Sequence, residues 1–302
     1  MKKFSRREFL KTASVASLAL YANPLIKGSK LFAQENKNTL AVVEGESPFT
    51  ITENVIDLLG GMQKFVSKGD VVIIKPNIGW DRKPEQAGTT NPEVVGALVK
   101  MALNAGAKKV KVLDNTCNDP RRCYVNSGIE ASAKKYGAEV SYVEDFRLKE
   151  MNIGGKIIKR WEVYKDFIEC DKLINVPILK NHGLAGVTMG FKNWLGAIGG
   201  HRGALHQNID ETIVELGQFF KPKLTVLDAY RILLRNGPQG GSLDDVALKK
   251  TIIASTDPVA VEAYGAILFG KKPSDLPFIK NGYNAKLGEM DLKKLNIKRL
   301  KV

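Results

Sequence analysis

Short apolar runs alternate with amphipathic segments along most of the chain, and this pattern predicts strands and helices in turn. Runs rich in Val, Ile and Leu predict strands at residues 40–43, 70–75, 110–114, 139–143, 172–176, 224–227 and 250–254. Apolar residues at helical spacing predict helices at residues 52–66, 92–105, 126–136, 209–219 and 258–269. Such an alternation is typical of an α/β fold, with a mainly parallel sheet and helices on both faces.

The predicted strands at residues 71–74 and 252–254 are apolar almost throughout, as expected for strands that are buried on both faces. Residues 151–161 contain Gly154 and Gly155 and predict a hairpin at the surface. We interpret residues 37–302 as one α/β domain. The alternative is two lobes that meet near residues 175–177.

The first 36 residues predict an export signal. The run Ser-Arg-Arg-Glu-Phe-Leu-Lys, with its arginine pair at Arg6 and Arg7, precedes a modestly apolar stretch at residues 12–26. This layout is typical of a twin-arginine signal peptide and less so of an ordinary basic amphipathic helix. The apolar stretch is shorter than the roughly 20 residues that span a bilayer. We therefore expect the twin-arginine translocase to deliver the folded protein to the periplasm, with no transmembrane span in the mature chain. Signal cleavage stays open.

The formal net charge of the chain is +14, and residues 1–33 carry seven basic residues and one acid. The remainder keeps a charge of about +8, which favours small acidic ligands or simply a solvated basic surface. Its lysines are dispersed without interleaved aromatic residues, and no nucleic-acid-binding motif is present, so we expect no nucleic-acid partner.

Three cysteines, Cys117, Cys123 and Cys170, lack the two-residue spacing of zinc or iron–sulfur ligands. We therefore expect no cysteine-ligated iron–sulfur cluster. Cys117 and Cys123 could pair in an oxidising compartment, although free thiols are the favoured interpretation.

Polar residues follow several predicted strands, where α/β sheets gather their chemistry. We expect these residues to bind a substrate or cofactor: Lys75, Asn77, Thr90, Asp114, Asp228 and Asp257. The carboxyl-terminal edge of the sheet is their predicted common location. Asp257, before Pro258, has the alternative role of capping a helix, and residues 90–92 have the same pattern.

The three histidines of the chain, His182, His201 and His206, lie close together in a segment with seven glycines between residues 183 and 203. Glycine-rich backbone can fold closely around a ligand. Lys180, His182 and His206 are the predicted catalytic groups, because imidazole and a perturbed amine can exchange protons near neutral pH. Lys192 and Asn193 are predicted to bind an anionic substrate or cofactor.

A metal site is an alternative use of the same histidines. It would combine His182 and His206 with Asp228 or Asp257, a mixed nitrogen and oxygen set that suits zinc or another divalent ion. The spacing does not favour it, because no HxH or HxxxH pair is present. Carboxylates alone could also balance the lysines, which would make the cluster a structural network.

These residues resemble the family called domain of unknown function 362, over essentially the whole mature chain. The resemblance rests on Lys-Pro-Asn at residues 75–77, Thr-Thr-Asn-Pro at 89–92, Lys-Asn-His at 180–182, Phe-Lys-Asn-Trp-Leu-Gly at 191–196, Leu-Asp-Ala at 227–229 and Ser-Thr-Asp-Pro at 255–258. Many members carry an added ferredoxin-like module, which this chain lacks. The chain also has Asn181 where many members have Thr, and Glu262 where they often have Asp.

The layout further resembles, more weakly, the amino-terminal half of nickel-dependent lactate racemase, through the sequence Gly200-His201-Arg202. Fold-level likeness does not fix function. Two hypotheses therefore stand: an exported enzyme or cofactor-dependent protein that binds a small anion, and a non-catalytic binding or accessory protein for a redox enzyme. The sequence leaves the reaction, the cofactor and any metal open.

Overall fold

A ten-stranded mixed sheet forms the centre of the computed structural model, which describes residues 38–302. The predicted export signal lies outside the described residues. In chain order the strands are β1 (Thr39–Glu44), β2 (Val71–Pro76), β3 (Lys109–Val112), β4 (Glu139–Val140), β5 (Leu148–Asn152), β6 (Arg160–Tyr164), β7 (Lys172–Val176), β8 (Ile178–His182), β9 (Gly186–Thr188), β10 (Leu224–Leu233), β11 (Val246–Ser255) and β12 (Asn296–Lys301).

Helices connect most of these strands. They are α1 (Pro48–Leu58), α2 (Pro92–Asn104), α3 (Pro120–Asn126), α4 (Ile129–Lys135), α5 (Asp166–Glu169), α6 (Gly190–Asn193), α7 (Ile209–Phe220), α8 (Pro258–Leu268) and α9 (Pro277–Asn284). Helices α1, α2, α3 and α8 begin alike, with a capping side chain followed by proline. The cap satisfies a free backbone N–H, and proline fits the first turn because it has no N–H to leave unbonded. Among residues 38–302, no helix combines the length and apolar character needed to cross a bilayer.

The strand order of the main sheet is β12-β1-β11-β10-β7-β2-β3-β4, and the short hairpin β8–β9 extends it through β10. Neighbours in the row β10-β7-β2-β3-β4 run parallel. Alternate residues of β2 enter different cores: Val72 and Ile74 pack with α1 and α2, whereas Ile73 packs on the opposite face with α7. The predicted α/β class, with a mainly parallel sheet covered on both faces, is confirmed.

Strand β11 departs from the parallel arrangement. It runs antiparallel to both β10 and β1, and its last residue, Ser255, pairs with Thr225 near the start of β10. Residues that follow β11 therefore lie where β10 begins, and the expectation that Asp257 shares a strand-end edge with Asp228 is wrong. An apolar run alone cannot reveal this, because a buried strand has the same composition in either direction.

The predicted hairpin near residues 151–161 is confirmed as the antiparallel pair β5–β6. The carboxylate of Glu215 on α7 accepts the backbone N–H groups of residues 156–158 and so fixes the hairpin loop. The indole of Trp161 donates to the carbonyl of Gly199 at 3.0 Å. The hairpin thus supports one end of the glycine- and histidine-bearing segment.

Candidate functional site

A cavity of about 330 Å³ opens beside the ends of β2 and β3, where their loops meet the hairpin β8–β9 and residues 190–206. Its polar and charged lining residues are Asn77, Asp114, Asn115, Cys117, Lys180, His182, Thr188, Lys192, Asn193, Arg202 and His206. Trp80, Leu195 and Pro238 add an apolar part. The structure therefore brings together seven of the predicted site residues, although their roles stay predictions.

A buried ion pair forms the floor of the cavity. Lys75 Nζ lies 2.6 Å from Asp114 Oδ1 and also donates to the carbonyl of Pro76 and to Asn193 Oδ1, so all three of its protons have acceptors. Asp114 Oδ2 accepts the backbone N–H of Ile78 at 2.6 Å. Burial lowers the pKa of Lys75 and raises the pKa of Asp114, while their mutual attraction opposes both shifts. Lys75 is thus fully engaged within the protein.

Asn193 connects this floor to the neighbouring strands. Its Nδ2 donates to Asn175 Oδ1 at 2.8 Å, and its Oδ1 accepts from Asn77 Nδ2 at 3.1 Å as well as from Lys75. A Cβ added at Gly196 would lie 1.8 Å from Asp114 Oδ1. Only glycine lets this turn approach the ion pair so closely.

Behind the cavity, Glu262 on α8 supports the helix that carries Lys192 and Asn193. Glu262 is fully buried, and its Oε1 accepts the backbone N–H of Phe191 at 2.6 Å. Its Oε2 has no hydrogen-bond partner among residues 38–302. Burial raises the pKa of Glu262 to about 8, so the uncharged acid is the main form at neutral pH.

Lys180 enters the cavity from β8 and is only 1% exposed. Its Nζ donates to the carbonyl of Gly88 at 2.6 Å and to Asn77 Oδ1 at 3.0 Å. Both partners are uncharged. Burial, and then the charge of Lys192, lowers the pKa of Lys180 to about 7. Thr90 does not line the cavity, but its hydroxyl accepts from Asn77 N at 2.8 Å and donates to the carbonyl of Val176, which positions Asn77.

The two cavity histidines are stacked, with ring centroids 6.0 Å apart and planes 26° apart. His182 Nδ1 accepts the backbone N–H groups of Leu184 and Ala185, which places the ring proton on Nε2. Burial, followed by Lys192, lowers the pKa of His182 to about 3 and also lowers that of His206. Both rings are therefore neutral at physiological pH. His201 is exposed and lies outside the lining.

Lys192 and Arg202 face the cavity from residues 190–206. No hydrogen bond or ion pair to Lys192 Nζ is formed within the part of the chain that the structure describes. Burial, more than the nearby Arg202, lowers the pKa of Lys192 to about 8. The guanidinium of Arg202 donates to the carbonyls of Asn115, Leu195 and Thr116, and no described carboxylate pairs with it.

Two predicted residues lie elsewhere. Asp228 points to the other face of the sheet from Lys75, because side chains alternate along β10; its carboxylate accepts from Asn91 N and Tyr230 N. Burial raises the pKa of Asp228 to about 6. Asp257 caps α8 through Ala260 N and also accepts from Asn38 and Glu289. The capping alternative is therefore the role that the structure gives Asp257.

The predicted metal set is not assembled. Asp228 and Asp257 lie outside the cavity lining, so neither joins His182 and His206 there. Residues 38–302 contain no group of three His, Cys, Asp or Glu side chains with metal-binding geometry. His182 Nδ1 is moreover already engaged by backbone N–H groups.

Sequence reasoning omitted several lining residues from the predicted site, notably Arg202, Thr188, Cys117 and Asn115. Arg202 lies within the glycine- and histidine-bearing segment, so its charge was an available signal. Thr188 carries no signal in the sequence. Its place follows only from the pairing of β9 with β8. The three cysteines are free thiols, as favoured, with Cys117 exposed and Cys123 buried.

Three similarities to known proteins accompany this geometry. The sequence model of the family described as Domain of unknown function (DUF362) matches residues 72–267. Thylakoid-associated protein sll1697 from Synechocystis sp. is 27% identical over 242 residues, which cover 78% of this chain and 74% of that protein. The lactate racemase apoprotein from Thermoanaerobacterium thermosaccharolyticum shares 12% identity at a TM-score of 0.44, over 72% of this chain and 54% of the other. This chain thus spans about half the length of that structure, and so distant a likeness says nothing about a reaction.

Proposed function

The chain belongs to the family described as domain of unknown function (DUF362), and we propose that it binds a small organic anion in the cavity described above. Lys180, Lys192 and Arg202 supply the positive charge. One observation carries the proposal: within residues 38–302, no carboxylate forms an ion pair with any of these three cations. Asp114, the acid in the lining, is already paired with Lys75.

Crowded cations destabilise a fold unless something compensates them. Because like charges repel, the charge of Lys192 lowers the pKa of Lys180 and opposes the protonation of His182 and His206. A bound anion would reverse the repulsion and raise each pKa. Perturbed groups of this kind cluster at functional sites. We therefore assign the cavity to ligand binding rather than to a structural network.

Lys180 is the group best suited to exchange a proton with the ligand. Its pKa of about 7 populates both the amine and the ammonium at neutral pH, as general acid–base catalysis requires. The pKa of His182, about 3, is too low for that task. The catalytic version of the function therefore uses Lys180 for proton transfer and His182 as an uncharged N–H donor.

The test is direct measurement of anion binding. Protein purified from its native compartment would be analysed by native mass spectrometry for a retained ligand. Thermal shift and calorimetry would follow with inorganic phosphate, sulfate and a series of carboxylates. We expect binding to at least one anion, and we expect Lys192→Met to weaken it by more than tenfold.

Lys223→Met is the matched control, because Lys223 is exposed and lies before the start of β10. It removes the same charge without touching the cavity. If the two variants lose affinity equally, general surface charge is responsible and the proposed site is wrong. Failure of every anion to bind the wild-type protein would also contradict the proposal.

The neutral state of both cavity histidines favours non-catalytic binding as a second candidate, in which the protein stores or presents the anion to a redox enzyme. The two candidates differ in proton exchange. A catalytic protein should incorporate deuterium into a bound ligand in D₂O, and Lys180→Met should stop the exchange. A carrier should release the ligand without deuterium.

We further propose that this binding takes place outside the cytoplasm. The arginine pair at residues 6 and 7 supports export by the twin-arginine translocase, which carries folded proteins. The mature charge of about +8 would then face periplasmic anions.

A further inference from the structure

One wall of the cavity carries two uncharged hydrogen-bonding groups, His182 and Thr188, on the same hairpin as Lys180. In the hairpin β8–β9, Lys180 pairs directly with Thr188, and His182 pairs with Gly186 two positions further along. Residues two apart on a strand share a face, so Lys180, His182 and Thr188 all belong to the face that lines the cavity. Lys192 and Arg202 belong to residues 190–206, which line the cavity from a different segment. The uncharged pair His182 and Thr188 thus belongs to a different segment from the cations Lys192 and Arg202.

His182 is fixed as a hydrogen-bond donor. Because Nδ1 accepts the N–H groups of Leu184 at 3.3 Å and Ala185 at 3.1 Å, the proton must be on Nε2. No described residue accepts a hydrogen bond from this Nε2. The low pKa keeps the ring neutral, so it offers a donor without a charge. The matching ligand atom must be an acceptor.

Thr188 supplies an independent observation. Its side chain is 3% exposed, and its hydroxyl has no hydrogen-bond partner among residues 38–302. Buried hydroxyls without partners are uncommon in folded proteins and call for an explanation. Because Thr188 lines the same cavity as His182, its hydroxyl is a candidate partner for a bound oxygen atom.

The size of the cavity adds a third constraint. Its volume of about 330 Å³ lies within the range of pockets that bind small organic ligands, roughly 300–1,000 Å³. An inorganic oxyanion would fill only part of that volume. Trp80, Leu195 and Pro238 provide apolar surface for a carbon skeleton.

From these observations we propose that His182 and Thr188 form a second subsite, which selects organic anions carrying an uncharged hydroxyl or carbonyl oxygen in addition to the acidic group. The acidic group binds at Lys192 and Arg202, and the uncharged oxygen accepts a hydrogen bond from His182 Nε2. This inference rests on the proposed anion-binding function and refines its ligand class. His182 and Thr188 thereby become specificity-determining residues.

Paired probes that differ by one hydroxyl test the inference. Citrate is compared with tricarballylate, and 2-hydroxypropyl phosphate with propyl phosphate, by calorimetry on the full-length protein. A site built to hydrogen-bond a hydroxyl rejects the analogue that lacks it. We expect the hydroxylated member of at least one pair to bind about tenfold tighter or better.

Two substitutions of His182 separate its two nitrogen atoms. His182→Asn keeps an acceptor near the position of Nδ1 for the turn but removes the donor at Nε2. His182→Gln can place a donor near Nε2 but loses the acceptor. We expect His182→Asn to remove the preference for the hydroxylated probe and His182→Gln to keep part of it.

Thr188→Val is the second variant, with Thr188→Ser as its matched control. Valine has the same shape and suits a strand, and no protein hydrogen bond is lost, so the melting temperature should not fall. We expect the valine variant to reduce the preference and the serine variant to retain it. These variants keep the test valid even if the substitutions at His182 disturb the turn.

Each outcome has a distinct meaning. Equal affinities within both pairs for the wild-type protein, or an unchanged preference in both His182→Asn and Thr188→Val, would overturn the second subsite and leave anion binding intact. If no probe binds and the wider anion series also fails, both proposals fall. If only inorganic phosphate or sulfate binds, the organic ligand class is refuted while the cationic site stands.

Discussion

Replacing Lys192 by methionine should make the ligand-free protein more stable, because the lysine is charged in a place that disfavours charge. Its pKa in the folded protein is about 8, against an ordinary value of 10.5. That difference corresponds to about 3.5 kcal/mol of destabilisation, at about 1.4 kcal/mol for each pH unit. Because the side chain keeps an exposed fraction in the cavity, water screens part of the cost, and we expect about 1–3 kcal/mol.

The destabilisation by Lys192 depends on pH. Below pH 8 Lys192 is charged in both the folded and the unfolded protein, so its full destabilising effect on the folded protein is present. Between about pH 8 and 10.5 Lys192 loses its proton in the folded protein before it does in the unfolded protein. The destabilisation therefore decreases as the pH rises. The stabilisation by Lys192→Met should therefore be largest below pH 8 and nearly absent near pH 10.5.

Differential scanning calorimetry and denaturant unfolding from pH 6 to pH 10 measure the effect. One to three kcal/mol corresponds to roughly 2–6 °C in Tm for a domain of this size, at about 2 °C for each kcal/mol. Lys180→Met is the informative comparison, because it also removes a charge but leaves Gly88 O and Asn77 Oδ1 without their donor. We expect that variant to gain less or to lose stability. If Lys192→Met is destabilised by several kcal/mol at pH 7, the cations belong to a structural network and our reasoning is wrong.

Four further predictions concern residues outside this pair. Asp114→Ala should lower the free energy of unfolding, measured with denaturant, by about 3–5 kcal/mol, because it leaves the buried ammonium of Lys75 unpaired. A loss below 1 kcal/mol would contradict the ion pair as a stabilising feature. The stability of Glu262→Gln relative to wild type should increase as the pH rises from about 4.5 to 8, because Glu262 ionises in the unfolded wild-type protein but keeps its proton in the folded one. If the free energies of unfolding of the two proteins change in parallel with pH, the raised pKa is refuted. Asp257→Ala should lower the free energy of unfolding by about 1–2 kcal/mol, because the helix cap is lost, and should leave anion affinity unchanged. A fall in affinity would show that Asp257 contributes to the binding site. Replacing Arg6 and Arg7 by lysines should hold the protein in the cytoplasm on cell fractionation, and normal periplasmic levels of that variant would refute the export prediction.

The hydrophobic periodicity predicted the sheet and its major helices, because strands that are buried on both faces consist almost entirely of apolar residues. It failed where geometry depends on a single residue. Residues 126–136 were predicted as one helix, but Gly128 adopts a φ of 71° and α4 begins only at Ile129, while the preceding helix α3 was missed. Strand β8 was missed because its sequence, Ile-Leu-Lys-Asn-His, carries the polar groups of the cavity in place of an apolar pattern.

The candidate site was predictable as far as charge and strand ends define it. Lys180, Lys192 and the two cavity histidines could be grouped because the sequence confines them to one segment. Asp257 could not be separated from them, because the direction of β11 depends on pairing across the sheet. Thr188 needed the register of β8 against β9, which local sequence does not encode.

The anchoring of Arg202 has a consequence for the speed of binding. Its guanidinium is held by the carbonyls of Asn115, Thr116 and Leu195, so residues 115–116 and residues 190–202 fix the charge before any ligand arrives. A preorganised cation loses little rotamer entropy when an anion binds. Association should then follow a single kinetic phase with no slow rearrangement, and its rate should fall with ionic strength as expected for attraction between opposite charges.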